Sequence, residues 1–157
     1  MNHNYDKHGE INSNRGNLHE YLGMTFDLTE KEKMEIYMDH YVERMVNEFT
    51  IKISKNDTVL IPSGNDIFEK GNIKRTGKKE TEQFHTSVAR IMFVAKRLWP
   101  EIHQMVVVLS TRVKEPNVTD CKKLVIMIKY LNGTKKNYLL VSDDYLKVIK
   151  CYVDADF

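Results

Sequence analysis

The tightest constraint on this chain lies between Tyr21 and Phe49, where an alternating apolar pattern gives way to a helical one. Leu22, Met24, Phe26 and Leu28 alternate with Tyr21, Gly23, Thr25 and Asp27, and after the polar turn Thr29 to Glu32 the alternation resumes at Met34, Ile36 and Met38. Successive strand side chains point to opposite faces, so the pattern predicts a hairpin with one apolar face. Asp39 is then placed to cap a helix in which Val42, Met45, Val46 and Phe49 fall at i, i+3, i+4 and i+7. That stripe needs an apolar partner, and the hairpin face of Leu22, Met24 and Phe26 can supply one.

Order then breaks. From Thr50 to Lys79, Pro62-Ser63-Gly64-Asn65, Gly71-Asn72 and Gly77 punctuate a stretch carrying Lys70, Lys74, Arg75, Lys78 and Lys79, which predicts a long basic surface connection. Helical spacing returns at Phe84, Val88, Ile91, Ala95 and Leu98, and Trp99-Pro100 ends that helix. A second helix carries Ile102, Met105, Val106 and Leu109. A third carries Val118, Cys121, Val125, Ile128 and Leu131 and is expected to stop at Asn132-Gly133. Tyr138 to Val141, the turn Ser142 to Tyr145 and the run Leu146 to Val153 read as a second hairpin. The fold class is therefore α+β: an N-terminal β-hairpin, central amphipathic helices and a C-terminal β-hairpin, together forming a partial domain.

With 157 residues and 41% apolar content, a compact unit would bury roughly 68 to 70% of its unfolded surface. The net charge of +2 hides an uneven spread. Residues 1–50 hold 5 basic and 10 acidic side chains, giving −5, whereas residues 51–100 hold 10 and 5, giving +5. A basic middle suits a polyanion. Cys121 and Cys151 belong to no C-x-x-C motif, which points to reduced thiols and an intracellular site, cytoplasm or nucleus. No apolar run is long enough to predict a membrane span or a signal peptide.

Few chemical motifs survive inspection. The six histidines form no zinc pattern, and neither a Gly-rich phosphate loop nor a nucleophile elbow is present. Asp143-Asp144 has the context of a turn between strands. Asp154 and Asp156, two apart on an expected strand, project from one face, but two carboxylates fall short of the several acids that metal-assisted phosphodiester hydrolysis requires. Lys122-Lys123, Lys129 and Lys135-Lys136 along the third helix, with Arg90, Lys96 and Arg97 on the first, offer sequence-blind phosphate contacts or simply a solvated face.

Seven segments in order carry a family resemblance. They are Y-L-G-M at 21–24, D-H-Y-V-E-R-M-V at 39–46, T-E-Q-F-H-T-S-V-A-R from 81, A-K-R-L-W-P-E-I at 95–102, L-S-T-R-V-K-E-P at 109–116, I-K-Y-L-N-G-T at 128–134 and L-K-V-I-K-C-Y-V-D-A-D-F at 146–157. Their order and spacing resemble the C-terminal part of the reverse transcriptase of copia-type LTR retrotransposons, running into the start of the RNase H domain.

That resemblance implies a primer-grip role for Tyr21, Leu22, Gly23 and Met24, and makes Asp154 the first metal-binding aspartate of RNase H. Mg2+ would bind there only in an intact parent enzyme, and this chain is expected to hold no cofactor itself. The family's Y-x-D-D aspartates lie upstream of the Y-L-G segment and are not found here, so no polymerase or nuclease activity is expected of the chain alone. Leu98 to Ile102 and Thr119 to Cys121 depart from the family's usual R-P-D-I and His. The implied layout is a flexible arm over 1–18, a primer-grip hairpin and thumb helix over 19–50, the basic connection over 51–80, connection helices over 81–134, and a hairpin with the first RNase H strand over 135–157. The implied partner is an RNA or DNA template-primer, with Lys74, Arg75, Lys78, Lys79, Lys122 and Lys123 as contact candidates. The alternative is a non-catalytic nucleic-acid-binding module retained from a retroelement.

Overall fold

A computed structural model describes residues 15–62, 67–69, 71 and 74–142. Among them the chain is α+β, with a four-stranded antiparallel sheet and four α-helices. The strands are β1 (Leu18–Tyr21), β2 (Met24–Asp27), β3 (Lys33–Tyr37) and β4 (Leu139–Ser142), in the order β1-β2-β3-β4. The helices are α1 (Asp39–Asn47), α2 (Lys78–Ala95), α3 (His103–Ser110) and α4 (Val118–Thr134), with a short 3-10 turn at Pro100–Ile102 ahead of α3.

The hairpin expected around Phe26 is β2 and β3, registered by Phe26 opposite Ile36. Two features extend it. β1 pairs with β2 from Leu18 opposite Asp27 to Tyr21 opposite Met24, so Leu18, assigned by sequence to the arm, already belongs to the sheet, and the Asn17 carbonyl just before it accepts a bond from the Leu28 N–H at 2.8 Å. On the other side β4 pairs with β3, Ile36 opposite Leu139 and Lys33 opposite Ser142. The first strand of the expected C-terminal hairpin thus completes the N-terminal sheet, and Tyr138 stacks on Tyr37 with ring centroids 5.3 Å apart. The rest of that hairpin, Cys151, Asp154 and Asp156 lie outside the described residues.

The helices make the core. Val42, Met45 and Val46 of α1, Phe84, Val88, Ile91, Val94 and Ala95 of α2, Met105, Val106 and Leu109 of α3, and Leu124, Met127, Ile128 and Leu131 of α4 are all buried in one cluster around Trp99 and Ile102. The Trp99 indole N–H donates to Thr134 Oγ1 at 3.1 Å, so its one polar group is satisfied inside the cluster. Met38, between the end of β3 and the start of α1, is buried in the same cluster and couples the sheet to the helices.

Three sequence expectations need correction. Asp39 does not cap α1: Met38 occupies the N-cap with no side-chain bond, and Asp39 sits in the first turn, where a negative charge favours the helix dipole. Gly133 does not end α4, which continues to Thr134; a Cβ on Gly133 would come within 3.1 Å of Thr58, so the glycine lets the connecting segment lie against the helix. The buried face of α4 is also rotated from the expected one. Val118 and Val125 are not in the core, whereas Asp120, Lys123, Leu124 and Met127 are.

That rotation follows from a buried polar clamp. Asn117 caps α4 by accepting from the Asp120 N–H at 2.8 Å, and Asp120 returns the bond, its Oδ2 accepting from the Asn117 N–H at 3.1 Å. Asp120, 1% exposed, also binds Arg112 at 2.5 Å. Arg112 donates further to the carbonyls of Phe68 and Glu69, and Lys123 donates to those of Ile67 and Glu69. The connection is therefore not wholly a surface segment: the clamp draws Ile67 into the core. Elsewhere it packs on α4 through Asn132, whose side-chain amide donates to the Ser54 and Asp57 carbonyls, and through Lys129 paired with Asp57 at 2.8 Å.

Replacing Asp120 with Ala strands the Arg112 charge in a largely dry site and removes the helix cap's partner. Loss of one member of a buried pair costs about 3 kcal/mol or more, so D120A should lower unfolding stability by that order in urea titrations. A loss below about 1 kcal/mol would show the clamp to be dispensable.

Candidate nucleic-acid interface

The Y-L-G-M segment forms a two-residue β-turn rather than continuous strand. Tyr21 and Met24 face each other at the strand ends, while Leu22 (φ 49°) and Gly23 (φ 74°) both take positive φ, as hairpin turns that match the sheet's twist require. Leu22 consequently leaves the apolar face and is 55% exposed. Its packing on α1 is corrected accordingly: Met24 and Tyr41 pack against the core, and Leu22 does not. Gly23 has two reasons to be glycine, its φ and its proximity to α1, since a Cβ there would meet the Tyr41 ring at 3.2 Å. The close approach comes from a side chain, not from another backbone.

This turn closes one end of a trough along the seam between α1 and α2. The first hollow, about 380 Å³, is lined by Glu20 to Thr25 together with His40, Tyr41 and Arg44. A second shares Tyr41 and Arg44 and adds Met45, Glu48 and Arg90. A third shares Met45, Glu48 and Arg90 and runs on past Phe49, Thr86 and Ser87 to Glu82 and Lys79. Tyr41, Arg44 and Glu48 recur at i, i+3 and i+7 on α1, beside the buried Val42 and Met45, so the helix presents a polar-aromatic edge where its apolar stripe ends.

Aromatic and guanidinium groups interleave there. Arg44 lies 5.7 Å from the Tyr41 ring centroid, Tyr41 stacks on Phe93 with centroids 5.1 Å apart, and Arg97 lies 3.5 Å from the Phe93 centroid. Arg97 is anchored through Nη1 to the Phe93 carbonyl at 2.9 Å. Tyr21, 64% exposed, adds another ring at the turn. The guanidinium groups lie over the Tyr41 and Phe93 rings, which holds two cations in place for phosphates, and the exposed Tyr21 ring offers a face on which a base can stack.

The basic candidates read from sequence separate into three groups. Lys79 lines the far end of the trough with Arg90. Lys74, Arg75, Lys78 and Lys122 are exposed around the N-termini of α2 and α4, which are tied together by Val118 N–H to Lys74 O, Thr76 N–H to Pro116 O and the Arg75–Asn117 bridge. Arg75 is occupied by Glu115 at 3.3 Å. Lys123 is withdrawn altogether: at 5% exposure, donating to two carbonyls, it is a structural lysine and not a nucleic-acid contact. Tyr41, Arg44 and Phe93 were not singled out by sequence as contacts, although the i, i+3 spacing of Tyr41 and Arg44 carries that signal.

Asp154 lies outside the described residues, and among those described no three His, Cys, Asp or Glu side chains gather as a metal site would need. No described helix is long and apolar enough to cross a membrane. No protein-family model, curated protein or solved structure matches the chain.

Val118 and Val125, left outside the core by the rotation of α4, and Cys121, partly buried against it, line a separate apolar groove with Phe49, Ile51 and Phe84. Burial first, then the nearby Glu80 and Asp120 carboxylates, push the Cys121 thiol above its ordinary pKa. A raised thiol pKa favours the protonated folded form. Its contribution to stability is therefore complete below the ordinary thiol pKa and is lost as pH rises through the folded value. In a C151S background, iodoacetamide should alkylate Cys121 more slowly than a cysteine peptide at mildly alkaline pH; an equal rate would contradict the assignment.

The turn predicts opposite responses at adjacent positions. Gly23→Ala forces a Cβ into a left-handed residue beside Tyr41 and should cost about 1 to 2 kcal/mol. Leu22→Asn supplies the residue that such a turn prefers and should stabilise by roughly 0.5 to 1 kcal/mol. Thermal melts of the two variants shifting in the same direction would rule out this turn geometry.

Proposed function

We propose that this chain is a portion of a copia-type retroelement polyprotein, drawn from the reverse transcriptase and RNase H region, and that as an isolated chain it grips a strand of RNA or DNA without catalysing a reaction. The observation that carries the reading is the junction of the Tyr21 to Met24 turn with Tyr41 and Arg44. The residues assigned a primer-grip role by resemblance share one hollow with a cation and an aromatic ring from the helix assigned to the thumb. The partial-domain reading goes with this proposal, as does the Mg2+ that Asp154 would help hold in an intact parent.

Two further facts support a strand rather than a small ligand. The trough continues past the turn through Arg90 to Lys79, a line of hollows in which Arg44, Arg90 and Lys79 are interspersed with Glu20, Glu48 and Glu82, instead of one enclosed cavity. Its recognition groups are guanidinium and phenol, which suit phosphate and base faces but do not select a sequence. The lysines around Lys74 and Lys122 form a second basic surface and provide the internal control. Under this reading they contribute long-range attraction, and the trough makes the contacts.

Binding of a fluorescein-labelled oligonucleotide, followed by anisotropy, should weaken as salt rises with a log-log slope of about −0.7 per phosphate contact on a single strand. R44Q should remove about one such contact and weaken binding several-fold at ~0.1 M salt, and K122Q should change the slope by much less. Salt-independent binding, or an R44Q variant that binds as the wild type does, would exclude the trough as the strand's site.

A further inference from the structure

Resting on that reading, we propose that Glu48 is an internal stand-in for a strand phosphate: it holds Arg90 in the middle of the trough, and an incoming phosphodiester must displace it to gain that contact. The pair is short, with Arg90 Nη1 2.6 Å from Glu48 Oε2, and both side chains line the second and third hollows. Glu48 is the C-cap of α1, where outward-facing carbonyls already make the helix end negative. The carboxylate therefore adds to the negative helix end and neutralises the cation that would otherwise offset it.

Contrast with the other arginine pair shows why this one can exchange. Arg112 and Asp120 are 14% and 1% exposed, and Arg112 is held by two backbone carbonyls besides the acid. Arg90 and Glu48 are 40% and 48% exposed, and among the described residues Arg90 makes no other hydrogen bond given by the geometry. Water reaches both partners, so a phosphate oxygen can replace a carboxylate oxygen on the same guanidinium with the same hydrogen-bond geometry. Arg90 also lies one turn from Phe93 on α2, so the released guanidinium would join the Arg44, Tyr41 and Phe93 series as its next cation.

Glu48 thereby sets how many phosphates the trough engages. E48Q keeps the side chain's shape and removes the charge. With a twelve-nucleotide oligo(dT) and the full chain, E48Q should steepen the salt slope by about 0.7 and bind roughly five-fold tighter at ~0.1 M salt, the effect of one added phosphate contact. The double variant E48Q/R90Q should return to the wild-type slope. E48Q matching the wild type while R44Q still weakens binding would overturn the Glu48 inference and leave the trough intact. Tightening that persists in E48Q/R90Q would overturn it too, as a general charge effect. Absence of binding by both wild type and E48Q would remove the nucleic-acid reading itself, and this inference with it.

Discussion

The burial of α1 between α2 and α4 is the constraint on which the rest of this architecture turns. Val42, Met45 and Val46 enter the common core with Ile91, Val94, Met127 and Leu131, and Met38 carries that packing back to the sheet. Each fully buried side chain of this kind is worth about 1.5 to 3 kcal/mol, enough to fix the rotation of a nine-residue helix. Once that rotation is fixed, Tyr41, Arg44 and Glu48 have only the seam to occupy. The trough is thus a by-product of the core: its floor is apolar packing, and its rim is the next set of residues around the same helix.

A second constraint works at the N-terminus of α4. The Arg112, Asp120 and Lys123 clamp spends two cations and one acid on holding the connection near Ile67 to Glu69. Several other cations are likewise answered by acids of the same chain, Arg75 by Glu115, Lys129 by Asp57 and Lys135 by Glu43. Charge counted along the sequence therefore overstates what a polyanion would meet. Within residues 51–100, Arg75 is paired with Glu115 and Arg90 with Glu48, Lys74 and Lys78 lie on the surface around the α2 N-terminus, and Lys79 lines the trough.

Local pattern made most of the elements legible, because strands and helices with one apolar face write their period into the sequence. The β2–β3 hairpin and the buried stripes of α1, α2 and α3 follow from it directly. β1 did not, since Leu18 to Tyr21 is a polar edge strand with little alternation to read. α4 was misphased because Asp120 and Lys123 count as solvent-facing in any hydropathy pattern, and only their partners on Arg112, Ile67 and Glu69 permit their burial. The pairing of β4 with β3 joins segments about a hundred residues apart, and no local signal encodes such a pairing. For the interface, the turn residues came from resemblance, whereas Arg44, Tyr41 and Phe93 became a set only when α1 and α2 were brought together.

The proposed path of a nucleic-acid strand runs along the α1/α2 seam against the Tyr21 to Met24 turn. An amide chemical-shift titration of the labelled chain with a short oligonucleotide tests it most directly. The largest perturbations are expected on Tyr21 to Thr25 and His40 to Arg44, with smaller ones at Arg90 and Lys79. Perturbations confined to Lys74, Arg75, Lys78 and Lys122, with the turn and α1 unmoved, would contradict it.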